Sequence, residues 1–291
     1  MRRRSCCLRW LTAALLALAP AWVSAALLSI GPDNGFVPRV LTQLPTVAPV
    51  TATALAELGD GSIGFNGGLA SDGSGLYAIG NDSFGSSTLY SLTMSGSGLA
   101  AVGSLGAGFY GGLAHRSGAL YAIASDAFGA STLYQVTGGS ATAVGTGLGN
   151  GFYGGLTYNA DDDLLYAIAG DAFGVQRTLV SIDADTGAAT PVFDLGDGSI
   201  GFNGGLAYDA DADRFYVIGN DSLANSSLFE FNLTGAGSVS AIGSSFGPGF
   251  LNASLVLVPG DGAPVSEPPM LALLPSLLVL LGLFSRRVGR H

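Results

Sequence analysis

The chain has 291 residues, 48% of them apolar and only 11% charged, with 46 glycines and a formal net charge of −10. Its 11 basic residues are all arginine, and only Arg39, Arg116, Arg177 and Arg214 lie between the two end segments, so the body is more acidic than the total suggests. Nucleic acid is thereby excluded as a partner, because phosphate binding needs a basic surface. Both cysteines, Cys6 and Cys7, fall near the N-terminus, which leaves the body without a thiol, a disulfide or a cysteine-based metal site.

The N-terminus carries Arg2, Arg3, Arg4 and Arg9, then the apolar run "WLTAALLALAPAWVSA", with Val23 and Ala25 as the small residues before a cut. Residues 1–25 therefore read as a signal peptide cleaved after Ala25. The apolar run is broken by Pro20 and is short for a retained anchor.

The body, 26–258, is written in repeats. "GFNGGLA" at 64–70 returns as "GFYGGLA" at 108, "GFYGGLT" at 151 and "GFNGGLA" at 201, then decays into "GFLNASL" at 249, with spacings of 43 to 50 residues. Such periods belong to propeller blades or solenoid units. After each phrase come short runs rich in Leu, Tyr, Val and Ile, parted by Gly, Asp, Asn and Ser, such as "LYAIGND", "STLYSLT" and "LAAVGSLG". These predict four strands per period and no helix. The segment "LLSIGPDNGF" at 27–36 aligns with "LYAIGNDSF" at 76–84 and is followed by two further strands but preceded by no first one. "GFLNASLVLV" at 249–258 is a first strand with nothing after it, so the two fragments complete one blade. The expected fold is all-β, a five-bladed propeller of four-stranded blades closed by pairing N- and C-terminal strands, which removes exposed sheet edges. The glycine doublet is similar to that of kelch repeats, but Trp10 and Trp22 both lie in the signal segment, so no propeller family is named.

Catalytic chemistry is poorly supplied. The body has one histidine, His115, no lysine and no cysteine, which disfavours Ser-His-Asp, Schiff-base and thiol mechanisms and any zinc site. A propeller glycosidase would need two carboxyls in unlike environments, whereas the acids here follow the repeat and the only glutamates of the body are Glu57 and Glu230. No cofactor is expected; calcium is the one metal the oxygen ligands of "NADDDLLY" and "YDADADRFY" would suit, although the glycine at the sharp turn of an EF-type loop is missing. One aspartate per blade, Asp33, Asp82, Asp126, Asp171 and Asp221, falls between the second and third strands, on the face that would also show Asn66, Tyr110, Tyr153 and Asn203. That face is the candidate ligand surface, suited to a carbohydrate or other neutral polar ligand; the alternative is that each aspartate only caps its turn.

The chain then runs through a linker, 259–265, into "SEPPMLALLPSLLVLLGLFSRRVGRH" at 266–291. The apolar run Leu271 to Phe284 would rise about 21 Å as a helix against a hydrocarbon core of about 30 Å, so it suits transient membrane insertion, with the basic end held in the cytoplasm. Ser266, Glu267 and Pro268, then the apolar helix, then Arg286 and Arg287, resemble the PEP-CTERM sorting signal of bacterial surface proteins, with Ser266 standing where that family shows proline. The resemblance implies recognition and processing by an exosortase-like enzyme, and a place in the cell envelope or extracellular matrix alongside polysaccharide. The function expected is that of an exported, non-catalytic surface binding or structural protein. The alternative is a divergent secreted propeller hydrolase using aspartates.

Overall fold

The computed structural model describes residues 25–31, 39–109, 111–170, 176–234, 238–250 and 253–258. The signal segment up to residue 24, the linker, the tail with Ser266, Glu267, Pro268, Arg286 and Arg287, and the positions Asp33, Tyr110 and Asp171 lie outside the described residues.

The described strands form five antiparallel sheets arranged as a five-bladed β-propeller. β1 (Ala26–Ile30), β2 (Arg39–Leu44) and β3 (Thr53–Leu58) open the chain. The second blade holds β4 (Leu69–Ser71), β5 (Leu76–Asn81), β6 (Ser86–Leu92) and β7 (Ala100–Ala107). The third holds β8 (Leu113–Arg116), β9 (Ala119–Ser125), β10 (Ala130–Thr137) and β11 (Ser140–Asn150), and the fourth β12 (Phe152–Asn159), β13 (Leu164–Gly170), β14 (Gln176–Ile182) and β15 (Ala189–Asp194). The fifth holds β16 (Leu206–Asp209), β17 (Arg214–Asn220) and β18 (Asn225–Phe231), with its outer edge split into β19 (Ser240–Ala241) and β20 (Gly247–Pro248). The last strand, β21 (Ser254–Val258), joins the first blade in the order β21-β1-β2-β3, pairing Ala26 with Val258 and Ile30 with Ser254. The composite blade expected from the divided repeat is therefore present, and it closes the ring.

Alternation explains why the second strand of each blade reads as an almost unbroken apolar run. Successive side chains point to opposite faces, and here each face meets a neighbouring blade. Leu28 and Ile30 pack with Leu69 and Leu76 of the second blade, while Leu27 packs with Ala207 and Ile218 of the fifth. All five blade interfaces carry such an apolar cluster.

The repeated phrase performs two tasks. Its phenylalanine is buried and meets an aromatic ring of the third strand: Phe65 lies 5.3 Å from Tyr90, Phe109 5.1 Å from Tyr134 and Phe202 5.4 Å from Phe229, centroid to centroid. In the first blade Gly31, which follows β1, leaves room for the phrase's ring, since a Cβ there would stand 2.4 Å from the ring of Phe250. Gly31 and Phe250 come from opposite ends of the body; β2 carries no aromatic residue, and the ring that Phe250 meets is that of Phe246, 4.9 Å away. The second glycine of the doublet lets inner strands meet at the axis: a Cβ on Gly68 would lie 2.3 Å from the Leu113 nitrogen, and one on Gly112 2.5 Å from that of Leu156. In the decayed copy Ser254 takes this position, buried and with its hydroxyl unpartnered.

Candidate functional site

The loops between second and third strands share one face of the ring with the connections that carry the repeated phrase. In each described copy the aspartate organises its turn. Asp82 Oδ1 accepts hydrogen bonds from the backbone N–H groups of Phe84 and Ser86, both at 2.9 Å. Asp126 Oδ1 does the same for Phe128 at 2.8 Å and Ala130 at 2.9 Å, and Asp221 Oδ1 for Leu223 and Asn225, both at 2.9 Å. The loop is closed again by backbone bonds from Gly85 to Asp82, Gly129 to Asp126 and Ala224 to Asp221. Hydrogen bonds from the Asn225 side chain, then from backbone N–H groups, hold the Asp221 carboxyl below its ordinary pKa. Three of the five predicted aspartates are thus seen as turn-formers on one face, and Asp33 and Asp171 lie outside the described residues.

What these turns present is not foreseen from the sequence. Phe84 is 91% exposed, Phe128 92% and Leu223 78%, each two residues beyond its aspartate. A fourth copy, Asp171-Ala172-Phe173-Gly174, repeats the pattern in sequence outside the described residues.

The amides expected on this face are partners of other protein groups. The Asn81 side-chain N–H donates to Asn66 Oδ1 at 2.7 Å, Ser87 donates to Asn81 Oδ1 at 2.6 Å, and the Phe109 N–H donates to Ser87 Oγ at 3.2 Å. The same relay runs from Asn220 to Asn203 at 2.9 Å, from Ser226 to Asn220 at 2.7 Å, and from the Phe250 N–H to Ser226 at 3.3 Å. Each relay ties one blade to the first residues of the next. A sequence signal for it exists: asparagine in the phrase accompanies Asn81 or Asn220, whereas tyrosine, at Tyr110 and Tyr153, accompanies Ser125 or Gly170. Tyr153 lies in β12, and its side chain is outside the described residues.

The opposite face carries the hairpin acids. Besides capping their own turns, they reach between blades. Arg116 Nε and Nη2 donate to Asp163 at 2.8 Å each, and Nη1 donates to Asp185 at 3.1 Å, joining third and fourth blades. The Arg116 guanidinium, helped by the Tyr158 hydroxyl, holds the Asp163 carboxyl down at about 2. The Tyr208 hydroxyl lies 3.1 Å from Asp161 Oδ2 and 3.0 Å from Asp213 Oδ1, joining fourth and fifth blades. Burial, then these two carboxylates, pushes the Tyr208 phenol up. His115 lies in β8 opposite Leu120 and borders an axial recess of about 120 Å³ with Tyr158 and Tyr208. Typical small-molecule sites are about 300–1,000 Å³, so this recess is too small for one. Among the described residues no group of three or more His, Cys, Asp or Glu side chains is placed to hold a metal ion, and no helix is long and apolar enough to cross a membrane.

No family model and no curated protein matches the chain. Among solved structures it is similar to TolB from Acinetobacter baumannii, with TM-score 0.52, 15% identity, and coverage of 79% of this chain and 56% of that one. A putative TolB from Agrobacterium tumefaciens aligns with TM-score 0.49, 13% identity, and 82% and 96% of the two chains. An exo-β-1,3-galactanase from Phanerochaete chrysosporium aligns with TM-score 0.49, 10% identity, and 74% and 55%. The chain spans a little over half the length of the Acinetobacter protein, and at these identities the likeness is one of fold: this body is a β-propeller.

Proposed function

We propose that the chain is an exported, envelope-sorted propeller that acts without catalysis, as a surface or extracellular-matrix binding protein. The observation that carries the reading is the polarity of the closing blade. Ala26 pairs with Val258, so both ends of the propeller leave it side by side on the face opposite the aspartate turns. A C-terminal tail tethered at the membrane would hold the turn face outward. Two further features support a binding role. Asp82, Asp126 and Asp221 occupy equivalent turns, whereas a glycosidase needs carboxyls in unlike environments. The tail itself, with Glu267 ahead of a short apolar run and a basic end, has the layout of a processed sorting signal.

Intact-mass measurement of the protein recovered from the cell surface tests the reading. The expected chain ends near 266–268, deletion of 266–291 releases the protein to the medium, and Glu267→Ala slows processing. A surface protein that still ends at His291 would overturn it.

A further inference from the structure

Phe84, Phe128 and Leu223 stand at equivalent positions of three blades, nearly free of contact with the rest of the molecule. A single exposed apolar side chain is ordinary, but here the exposure recurs at one register position of three blades and on one face of the ring. These tips are not loose loop residues. Each lies within an aspartate-capped turn, just before the positive-φ residue Gly85, Gly129 or Ala224 with φ of 79°, 80° or 61°, and the backbone N–H of the tip residue itself is bound by the aspartate. The turn fixes the backbone that carries the side chain, so little backbone freedom is lost when a partner covers the tip.

The charge of the face decides which partner fits. Asp60, Asp82, Asp126, Asp197 and Asp221 all lie on it. Among the described side chains, Arg39 is buried, while Arg116 and Arg214 belong to the opposite face. Anionic polymers and anionic lipid surfaces are repelled. A second copy meeting face to face would bring two acidic rings together. A neutral sugar offers what each tip can use: a C–H face for the ring, and hydroxyls for a carboxylate whose turn bonds engage only Oδ1 at Asp82 and Asp126.

We propose that the turn face is a multivalent binding surface for a neutral polysaccharide, the tips at 82–84, 126–128 and 221–223 each forming one subsite. The inference rests on the surface-binding reading above and supplies its ligand class. One weak subsite on each of these three blades matches a ligand whose own chemistry repeats, and the subsites reinforce one another through effective concentration.

The test is native electrophoresis of the purified full-length chain through gels cast with dextran, laminarin, xylan or galactan, with alginate as the anionic control. Retardation by at least one neutral polymer, insensitive to 0.5 M salt and absent with alginate, is expected. Phe84→Ser or Phe128→Ser weakens it by about tenfold, and the triple variant with Leu223→Ser abolishes it. Phe84→Tyr and Phe128→Tyr retain it. The melting temperature stays unchanged throughout, because the tips are exposed. No retardation in any neutral gel, or retardation that survives the triple substitution, overturns the proposal. So does tip-dependent dimerisation, or tip-dependent flotation with phosphatidylcholine vesicles, in the absence of polysaccharide binding. None of these variants alters the processed mass at the cell surface, so a failure here is distinguishable from a failure of the sorting reading.

Discussion

Replacing Gly112 by alanine tests whether the glycine doublet is a requirement of the ring's axis. The residue has φ of 121°, and a Cβ there would lie 2.5 Å from the Leu156 nitrogen, 2.8 Å from its Cβ and 2.9 Å from the Gly155 carbonyl carbon. Two costs are superimposed: adopting a left-handed conformation, about 1–3 kcal/mol, and forcing the third and fourth blades apart, about 1–3 kcal/mol for an overpacked site and more where the obstacle is backbone. Gly106→Ala separates them. Gly106 has φ of 92° with nothing within 4 Å of its Cβ position, so that variant reports the conformational cost alone. Gly112→Ala is expected to cost at least about 2 kcal/mol more than Gly106→Ala, a further drop of about 4–8 °C in melting temperature for a domain of this size. Urea titrations of both variants, compared at equal m-values, measure the difference. Equal losses in the two would mean that the inner strands relax freely, and that the repeated phrase is not explained by axial packing.

Three further outcomes follow from the turns and the blade contacts. Asp82→Asn should change stability little and Asp82→Ala should cost about 1 kcal/mol, because asparagine offers the same carbonyl oxygen to the turn; thermal melts of both variants check this. Millimolar calcium should leave melting unchanged, and a calcium-dependent rise lost in the Asp82→Asn/Asp126→Asn double variant would instead identify a cation site. For Asp163 the folded pKa, about 2, lies below the ordinary carboxylate value of about 3.9, so its stabilisation is present above about pH 4 and is lost as pH falls toward 2. Asp163→Asn should therefore flatten the acid limb of the stability–pH curve over that window, by an amount that shrinks as salt is added.

The fold was legible because its evidence is redundant. Ile30 and Gly31 align with Ile79 and Gly80, and this placed the first blade's missing strand at the far end of the chain before any contact was known. The candidate face was legible only in part. Asp82, Asp126 and Asp221 could be put between strands by alignment, but a single repeat does not reveal Asn81 and Asn220 as the partners of Asn66 and Asn203. Comparison between copies does, since the two positions change together. The reach of Arg116 to Asp163 and Asp185 was hidden for another reason: which hairpins adjoin depends on how the blades rotate about the axis, which no local pattern encodes. Phe84 and Phe128 were missed because apolar residues are assigned to cores by default, and alternation stops at the strand ends.

The pairing of β1 with β21 also sets an order of events. It is among the most distant contacts the chain makes, and loop closure must be completed before it stabilises anything. Until the final residues of the body are available, β1 shows an unpaired edge and the ring stays open, whatever the state of the other four blades. A propeller sealed in this way remains unlocked while its chain is still being made, and it locks only once the last strand has arrived.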